Sequence, residues 1–245
     1  MTMYMSDKMK LFQEKPCPSF LQVAVSNWEL YRLSQKPKAA YSNLLSHFPG
    51  TEDQEEYTDF LAGIAVGKKE FLGKNEKPDL LIVREKQLSE TEYIELFAGL
   101  CEKVKAYEKK EKNKREKSKP ALVIPHTYPA AAVKGGSCWL HLPLPIFRDY
   151  QRTGKCVGLH VGTSVHSVEQ AKEAQRMGAC YVTAGHIFST DCKKGLPPRG
   201  IGFLEQVCAS VQIPVFAIGG IYQENFCEIQ QAGAAGACRM SDYIR

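Results

Sequence analysis

The chain has no long apolar run: stretches such as Ala121–Ile124 and Pro214–Ile218 stop after a few residues, whereas a membrane span needs about 20. A transmembrane helix is thereby excluded. Nor does the N-terminus carry a continuous apolar region, because Met1 to Lys15 mixes charged and apolar residues, unlike a secretory signal. The expected location is the cytoplasm. The nine cysteines are scattered and contain no Cys-x-x-Cys, so neither a disulfide framework nor a structural zinc site is expected. Most read as small buried hydrophobes. No Gly-x-Gly-x-x-Gly follows an early strand pattern, which argues against an open doubly wound dinucleotide-binding sheet.

Charge of one sign is also lacking over most of the chain. The formal net charge is +5, but Glu102–Lys119 alone holds nine basic and four acidic residues and so carries all of it. Alternating signs within that run read as a solvated helix end. Its single aromatic, Tyr107, falls short of the stacking platform that nucleic acid wants. Neither nucleic acid nor a membrane is an expected partner. What remains, 44% hydrophobic and 24% charged residues, is the composition of an ordinary globular chain.

Eight short β-branched or apolar runs stand out: Phe20–Val25, Leu80–Arg84, Ala121–Ile124, Cys138–Leu142, Gly158–Gly162, Cys180–Ala184, Pro214–Ile218 and Gly236–Met240. Amphipathic segments follow the second, fifth, sixth and seventh, at Ser89–Lys105, Ser167–Met177, Gly202–Val211 and Gln223–Ala232. Strand alternating with helix implies parallel pairing with right-handed crossovers. Eight such units in this length predict an α/β protein of the TIM (β/α)8 barrel class, one domain over residues 1–245 with an N-terminal extension over 1–17.

Two departures from a minimal barrel are expected. Trp28–Glu56 is an insertion after strand one, with a short helix predicted around Ala39–His47 on an apolar face of Tyr41, Leu44, Leu45 and Phe48. Its place at the strand ends fits a lid as well as a peripheral decoration. At the other end the sequence stops at Arg245, too soon after the eighth strand for an eighth helix. Either Met1–Phe12 or a neighbouring subunit of a homo-oligomer is expected to cover that face.

Chemistry-bearing groups concentrate in Val161–Gly200. Gly162-Thr163-Ser164-Val165-His166-Ser167 places His166 just beyond strand five, with Ser167 able to cap the next helix and Glu169 and Glu173 in its early turns. An imidazole at that rim can exchange protons near neutral pH, and it can equally be a histidine that hydrogen-bonds near a cap. After strand six, Thr190 offers a hydrogen bond and Lys193 a charge, as a phosphate or carboxylate site requires. Strand seven ends in Gly219-Gly220, whose missing Cβ atoms permit close backbone approach to an anion. Ser241 follows strand eight. Loops after strands seven and eight commonly hold phosphate in such barrels.

With these residues the sequence resembles the thiamine-phosphate synthase/TenI superfamily. The resemblance is carried by Arg84-Glu85-Lys86, Gly162–Ser167, Gly185–Gly200, Ala217–Ile221 and Gly233-Ala234 with Met240-Ser241. It implies Arg84 and Lys86 as anion contacts. Two chemistries exist in that superfamily. The synthase joins a pyrimidine pyrophosphate to a thiazole phosphate using magnesium; the TenI type aromatises a thiazole carboxylate phosphate by tautomerisation. The synthase pattern has metal-binding aspartates after strands three and four, where this chain reads Ile124-Pro125-His126-Thr127 and His141-Leu142-Pro143-Leu144-Pro145. Magnesium wants hard oxygen ligands, usually carboxylates. Ile82 likewise stands where synthases have glutamine.

The run Gly185-His186-Ile187-Phe188, with Thr190-Asp191-Cys192-Lys193-Lys194-Gly195 and Arg199-Gly200, is similar to the TenI version of the strand-six loop. Synthases usually have proline at the position of His186 and threonine or serine at that of Cys192. The resemblance implies His166 as the proton-transfer residue, with no metal and no organic cofactor. Thr190, Lys193, Gly219, Gly220 and Ser241 would then hold the phosphate of a small thiazole substrate. His186 is expected to orient His166 or to contact the substrate carboxylate. The spacing of His126, His141 and His166 matches no compact zinc motif, and Cys192 reads as structural. Two alternatives stay open: a divergent synthase, and a non-catalytic barrel that binds a phosphorylated ligand.

Overall fold

In a computed structural model, which describes residues 20–35, 51–111 and 119–244, eight parallel strands form one sheet. They are β1 (Leu21–Val25), β2 (Leu80–Val83), β3 (Leu122–Pro125), β4 (Trp139–Pro143), β5 (His160–Val165), β6 (Tyr181–Gly185), β7 (Val215–Ile218) and β8 (Gly236–Arg239). The hydrogen-bonded order is β3-β2-β1-β8-β7-β6-β5-β4. That is the cyclic strand order of a TIM barrel, and the fold class is the one the sequence implies. The strands read as short continuous apolar runs, since each has one face against helices and the other against side chains of the sheet's own interior.

Helices alternate with the strands: α1 (Trp28–Gln35), α2 (Thr51–Val66) and α3 (Lys69–Leu72) before β2; α4 (Glu90–Glu111); α5 (Pro129–Gly135); α6 (Leu144–Thr153); α7 (Val168–Arg176); α8 (Gly200–Ser210); and α9 (Phe226–Gln231). No helix of the described residues is long and apolar enough to cross a membrane. The helices α1, α3, α5 and α6 escaped the pattern reading. α5 and α6 each begin with a proline in the first turn, where the missing N–H is no loss. α1 belongs to the stretch read as an insertion, and α2 already starts inside it. The helix expected around Ala39–His47 lies outside the described residues, as does the proposed cover Met1–Phe12.

The chain divides into two compact units. The first comprises the described residues up to Gln22 together with Trp139–Arg239. Its core is drawn from Leu140, Phe147, Val161, Val182, Leu204, Val215 and Ile229, all buried between strands β4–β8 and helices α6–α9. Pairing is in register from Trp139↔His160 through Gly162↔Tyr181 and Val182↔Val215 to Phe216↔Gly236.

The second unit comprises Val23–Cys138 and the described residues after Arg239. Aromatic rings dominate its core: Trp28, Tyr31, Tyr57 and Phe60 pack on one another with centroid spacings between 4.6 and 6.3 Å. Lys103 of α4 pairs with Asp59 of α2 at 2.6 Å, and Lys105 donates to the Gly135 carbonyl, so the start of the basic run is tied into the helix layer. A 3-10 turn at Ser241–Tyr243 follows β8. Tyr243 and Ile244 are buried in the second unit's core. The Tyr243 hydroxyl donates to the Glu76 carbonyl at 3.1 Å and Asn75 Nδ2 donates to the Asp242 carbonyl at 2.5 Å.

Candidate active site

The sequence reading ends strand five at Gly162, whereas β5 runs on to Val165. Gly158 holds a left-handed φ of 81° and the strand begins two residues beyond it. Thr163 and Ser164 look like loop residues but sit in the sheet with their hydroxyls satisfied: Thr163 Oγ1 donates to the Leu142 carbonyl at 2.8 Å, and Ser164 Oγ accepts from Thr183 Oγ1 at 3.0 Å. The correction leaves His166 as the first residue past the strand. Ser167 caps α7, its hydroxyl accepting from Gln170 N–H at 3.2 Å, as its type and position predict. Gln170 Oε1 in turn accepts the His166 N–H at 2.7 Å.

The His166 ring is exposed on one side and held on the other. Its Nδ1 lies 2.7 Å from the Gly185 carbonyl at the end of β6. A carbonyl only accepts, so Nδ1 carries the ring proton and the neutral ring presents Nε2 as a proton acceptor. The two strand ends therefore fix both the orientation and the tautomer of His166. His186 does not do this. Its Nε2 lies 3.4 Å from the Leu196 carbonyl within its own loop, so the backbone of Gly185 takes the orienting role that the sequence reading offered to His186.

Following His186, Ile187 N–H donates to the Ile218 carbonyl at 3.0 Å and Phe188 N–H to the Gly219 carbonyl at 2.9 Å. The loops after β6 and β7 are thus laced together. This explains the two glycines more directly than anion approach does. A Cβ on Gly219 would sit 2.3 Å from His186 Cβ, and one on Gly220 2.4 Å from the Ser189 carbonyl oxygen, with φ of 101° and 65°. Among the described residues neither glycine N–H has a hydrogen-bond acceptor, which keeps both donors available to an anion. Thr190 precedes a 3-10 turn at Asp191–Lys193. Lys194 pairs with Asp191 at 3.6 Å, while Lys193 is exposed.

His166, His186, Thr190, Lys193, Gly219 and Gly220 all belong to the first unit. Arg84, Lys86 and Ser241 belong to the second. There Arg84 N–H donates to Ser26 Oγ at 2.8 Å, Arg84 is half-buried and Lys86 exposed. Between them Glu85 is 4% exposed and accepts from Trp28 N–H at 2.8 Å, Tyr57 OH at 2.6 Å, Gln87 Nε2 at 3.2 Å and the Ser26 hydroxyl. Burial pushes its carboxyl up, against the pull of these donors. The sequence reading quoted Glu85 without giving it a role; a charged residue two steps past an apolar strand, in phase with its helix-facing side, was the available signal.

The family model for thiamine monophosphate synthase matches residues 149–243. A thiamine-phosphate synthase of Syntrophomonas wolfei subsp. wolfei is 34% identical over 163 residues, covering 65% of this chain and 71% of that protein. The chain belongs to the thiamine-phosphate synthase/TenI superfamily. A second thiamine-phosphate synthase, of Halalkalibacterium halodurans, is 29% identical over 170 residues, covering 68% of this chain and 74% of that one. The solved thiamine phosphate pyrophosphorylase of Pyrococcus furiosus superposes with a TM-score of 0.61 at 22% identity, covering 91% of this chain and 86% of that chain. Its likeness speaks for the fold. The two relatives are named as synthases and the solved structure as a pyrophosphorylase, and none of these names is a tautomerase.

Magnesium, which synthase chemistry in this superfamily uses, does not fit the strand ends where the family pattern has its aspartates. At β3 the chain presents His126, with Nδ1 2.5 Å from Thr127 Oγ1. At β4, His141 has both ring nitrogens engaged, Nδ1 with Tyr181 OH at 3.0 Å and Nε2 with Ser164 Oγ at 2.9 Å. Among the described residues no group of three or more His, Cys, Asp or Glu is placed to hold a metal ion. Nitrogen donors already in hydrogen bonds are a poor cradle for a hard cation.

Proposed function

We propose that this member of the superfamily is a thiazole tautomerase of the TenI type, with His166 as its general acid and base. The observation that carries the reading is the 2.7 Å contact between His166 Nδ1 and the Gly185 carbonyl. It sets Nε2 to accept the proton from the ring carbon that bears the carboxylate. The resulting imidazolium returns that proton to the exocyclic carbon, and the ring becomes aromatic. Atoms and charge balance within the substrate and one imidazole.

In this reading Thr190, Lys193 and the N–H groups of Gly219 and Gly220 hold the phosphate and keep the reacting carbons near the imidazole. His186 helps shape the loop that carries Thr190 and Lys193. The roles of Arg84, Lys86 and Ser241 rest on the resemblance alone. The substrate class, a carboxylated thiazole phosphate, comes from the same resemblance.

A second reading is favoured by the names of the relatives: a thiamine-phosphate synthase that joins a thiazole phosphate to a pyrimidine pyrophosphate. One assay separates the two. The non-aromatic thiazole carboxylate phosphate is followed in the ultraviolet in metal-free buffer, and pyrophosphate release from the pyrimidine substrate is followed with and without magnesium. Metal-independent aromatisation supports the tautomerase. Magnesium-dependent pyrophosphate release without aromatisation would replace it by the synthase, and binding of the thiazole phosphate with neither reaction would leave a ligand-binding barrel.

A further inference from the structure

Three consecutive carbonyls at the end of β7 are each held by a different donor. The Ile218 carbonyl accepts from Ile187 N–H at 3.0 Å and the Gly219 carbonyl from Phe188 N–H at 2.9 Å. The Gly220 carbonyl accepts from Asn225 Nδ2 at 3.0 Å. The peptide bonds that follow these carbonyls are trans, and a trans peptide sets its N–H opposite its carbonyl. The N–H groups of Gly219, Gly220 and Ile221 therefore face away from the groups that hold the carbonyls. Among the described residues none of the three has an acceptor.

Asn225 stands just before α9, where its type is favoured as a cap, yet its side chain makes no cap hydrogen bond to that helix. It reaches back instead. Its Oδ1 accepts from Tyr222 N–H at 3.1 Å while Nδ2 donates to Gly220. A backbone carbonyl only accepts and a backbone N–H only donates, so these two contacts fix which end of the amide is which. The Tyr222 bond belongs to the 3-10 turn Gln223–Asn225; the Gly220 bond lies outside it. Between Gly220 and Tyr222, the Ile221 side chain is buried in the first unit's core. Its N–H is thus fixed by an anchored side chain and by the clamped carbonyl before it.

We infer that Asn225 is a positioning residue for the anion site after β7. No other described group holds the Gly220 carbonyl, and glycine leaves its own ψ the least restricted. Without the amide donor the Gly220–Ile221 peptide is free to turn over, presenting a carbonyl oxygen where the N–H stood and repelling an anion. With the donor in place, Ile221 N–H joins those of Gly219 and Gly220 as a third consecutive donor. The inference rests on the reading of Gly219 and Gly220 as phosphate donors and adds the residue that sets the third.

The test is a nuclear magnetic resonance titration of the full chain, 15N-labelled at glycine and isoleucine, with inorganic phosphate. Saturable movement of the Gly219, Gly220 and Ile221 amide signals is expected in the unaltered protein. In Asn225→Ala the affinity should fall about fivefold or more, the worth of one hydrogen bond. The Ile221 signal should then stop responding while that of Gly219, whose peptide Ile187 holds, still moves. Asn225→Asp keeps the acceptor for Tyr222 N–H and loses the donor to Gly220. It should bind as weakly as Asn225→Ala at high potassium chloride, where its added charge is screened, and it carries the comparison should Asn225→Ala lose the fold. An affinity within about twofold of the unaltered protein in either variant at high salt overturns the inference, as does loss of all three responses together, the mark of a loosened loop. Failure of phosphate to move the glycine signals in the unaltered protein removes the phosphate reading and this inference with it; movement there with unchanged variants removes the inference alone.

Discussion

The Glu85 carboxylate accepts a hydrogen bond from the Tyr57 hydroxyl at 2.6 Å, joining the end of β2 to the middle of α2. With Ser26 after β1 and the N–H of Trp28 at the start of α1 as further donors, one buried carboxylate ties two strand ends to two helices. Removing it by Glu85→Ala leaves several buried donors without an acceptor, each costing about 1–3 kcal/mol. The variant is expected to lose about 3 kcal/mol or more in a urea titration. A loss under about 1 kcal/mol would show that water or rearrangement replaces the carboxylate.

The same residue sets a pH dependence whose sign can be worked out. Burial raises the folded-state pKa of Glu85 above its ordinary value of 4.5. Between that ordinary value and the raised one the folded chain binds more protons than the unfolded chain, so stability falls as pH rises through the window. The contribution is fully present below 4.5 and lost above the raised value. Glu85→Gln cannot titrate. The stability difference between the two proteins should therefore shift in favour of Gln as pH rises from about 4.5 toward neutrality, and a difference independent of pH would contradict the assignment.

Replacing His166 by Ala removes the one ring whose Nε2 the Gly185 carbonyl prepares as a base. General acid–base catalysis by one side chain contributes about 10²–10⁴-fold. The expected result is a drop of that size in kcat for aromatisation, with thiazole phosphate affinity changed less than about threefold, measured by calorimetry. An unchanged rate would remove His166 as the catalyst.

Much of this was legible from spacing. Seven of the eight strand runs fall within a residue or two of the observed strands, because parallel strands buried on both faces leave continuous apolar stretches. β5 misled for a reason visible in its side chains: Thr163 and Ser164 are polar yet satisfied within the sheet, which hydropathy cannot show. α5 and α6 were hidden by Pro129 and Pro145, breakers in mid-helix but tolerated in a first turn. At the site, position left His166 open between a proton-transfer and a capping role and the resemblance pointed to the first, whereas the Gly185 carbonyl that orients it is a backbone atom and leaves no trace in residue type. Glu85 could be noticed as a charge but not as a hub, since Ser26 and Tyr57 lie 59 and 28 residues away in sequence.

Gly219 and Gly178 offer a controlled pair. Both have positive φ, 101° and 87°, but a Cβ on Gly178 would meet nothing within 4 Å while one on Gly219 would lie 2.3 Å from His186 Cβ. Gly178→Ala therefore reports the backbone cost alone, about 1–2 kcal/mol. Gly219→Ala adds a clash with the neighbouring loop. It should cost clearly more by thermal unfolding, and it should also weaken phosphate binding by displacing the loop that carries Thr190 and Lys193. Equal costs in the two variants would mean that the loops after β6 and β7 part freely.

The turn after β8 makes the last prediction, because it joins a core contact to a residue proposed to bind anion. Tyr243 is 3% exposed, buried among the side chains of the second unit, and its hydroxyl donates to the Glu76 carbonyl at 3.1 Å. Ser241 lies two residues before it in the same 3-10 turn. Tyr243→Phe keeps the ring and loses one hydrogen bond, for about 1 kcal/mol; Tyr243→Ala opens a cavity and should cost about 3–5 kcal/mol. If the ring anchors the turn, the Ala variant should expose the backbone amides of 241–244 to hydrogen exchange far more than the Phe variant does. Equal protection in both would mean that the turn is held by the bond from Asn75 to the Asp242 carbonyl, and Asn75→Ala would then be the variant that releases it.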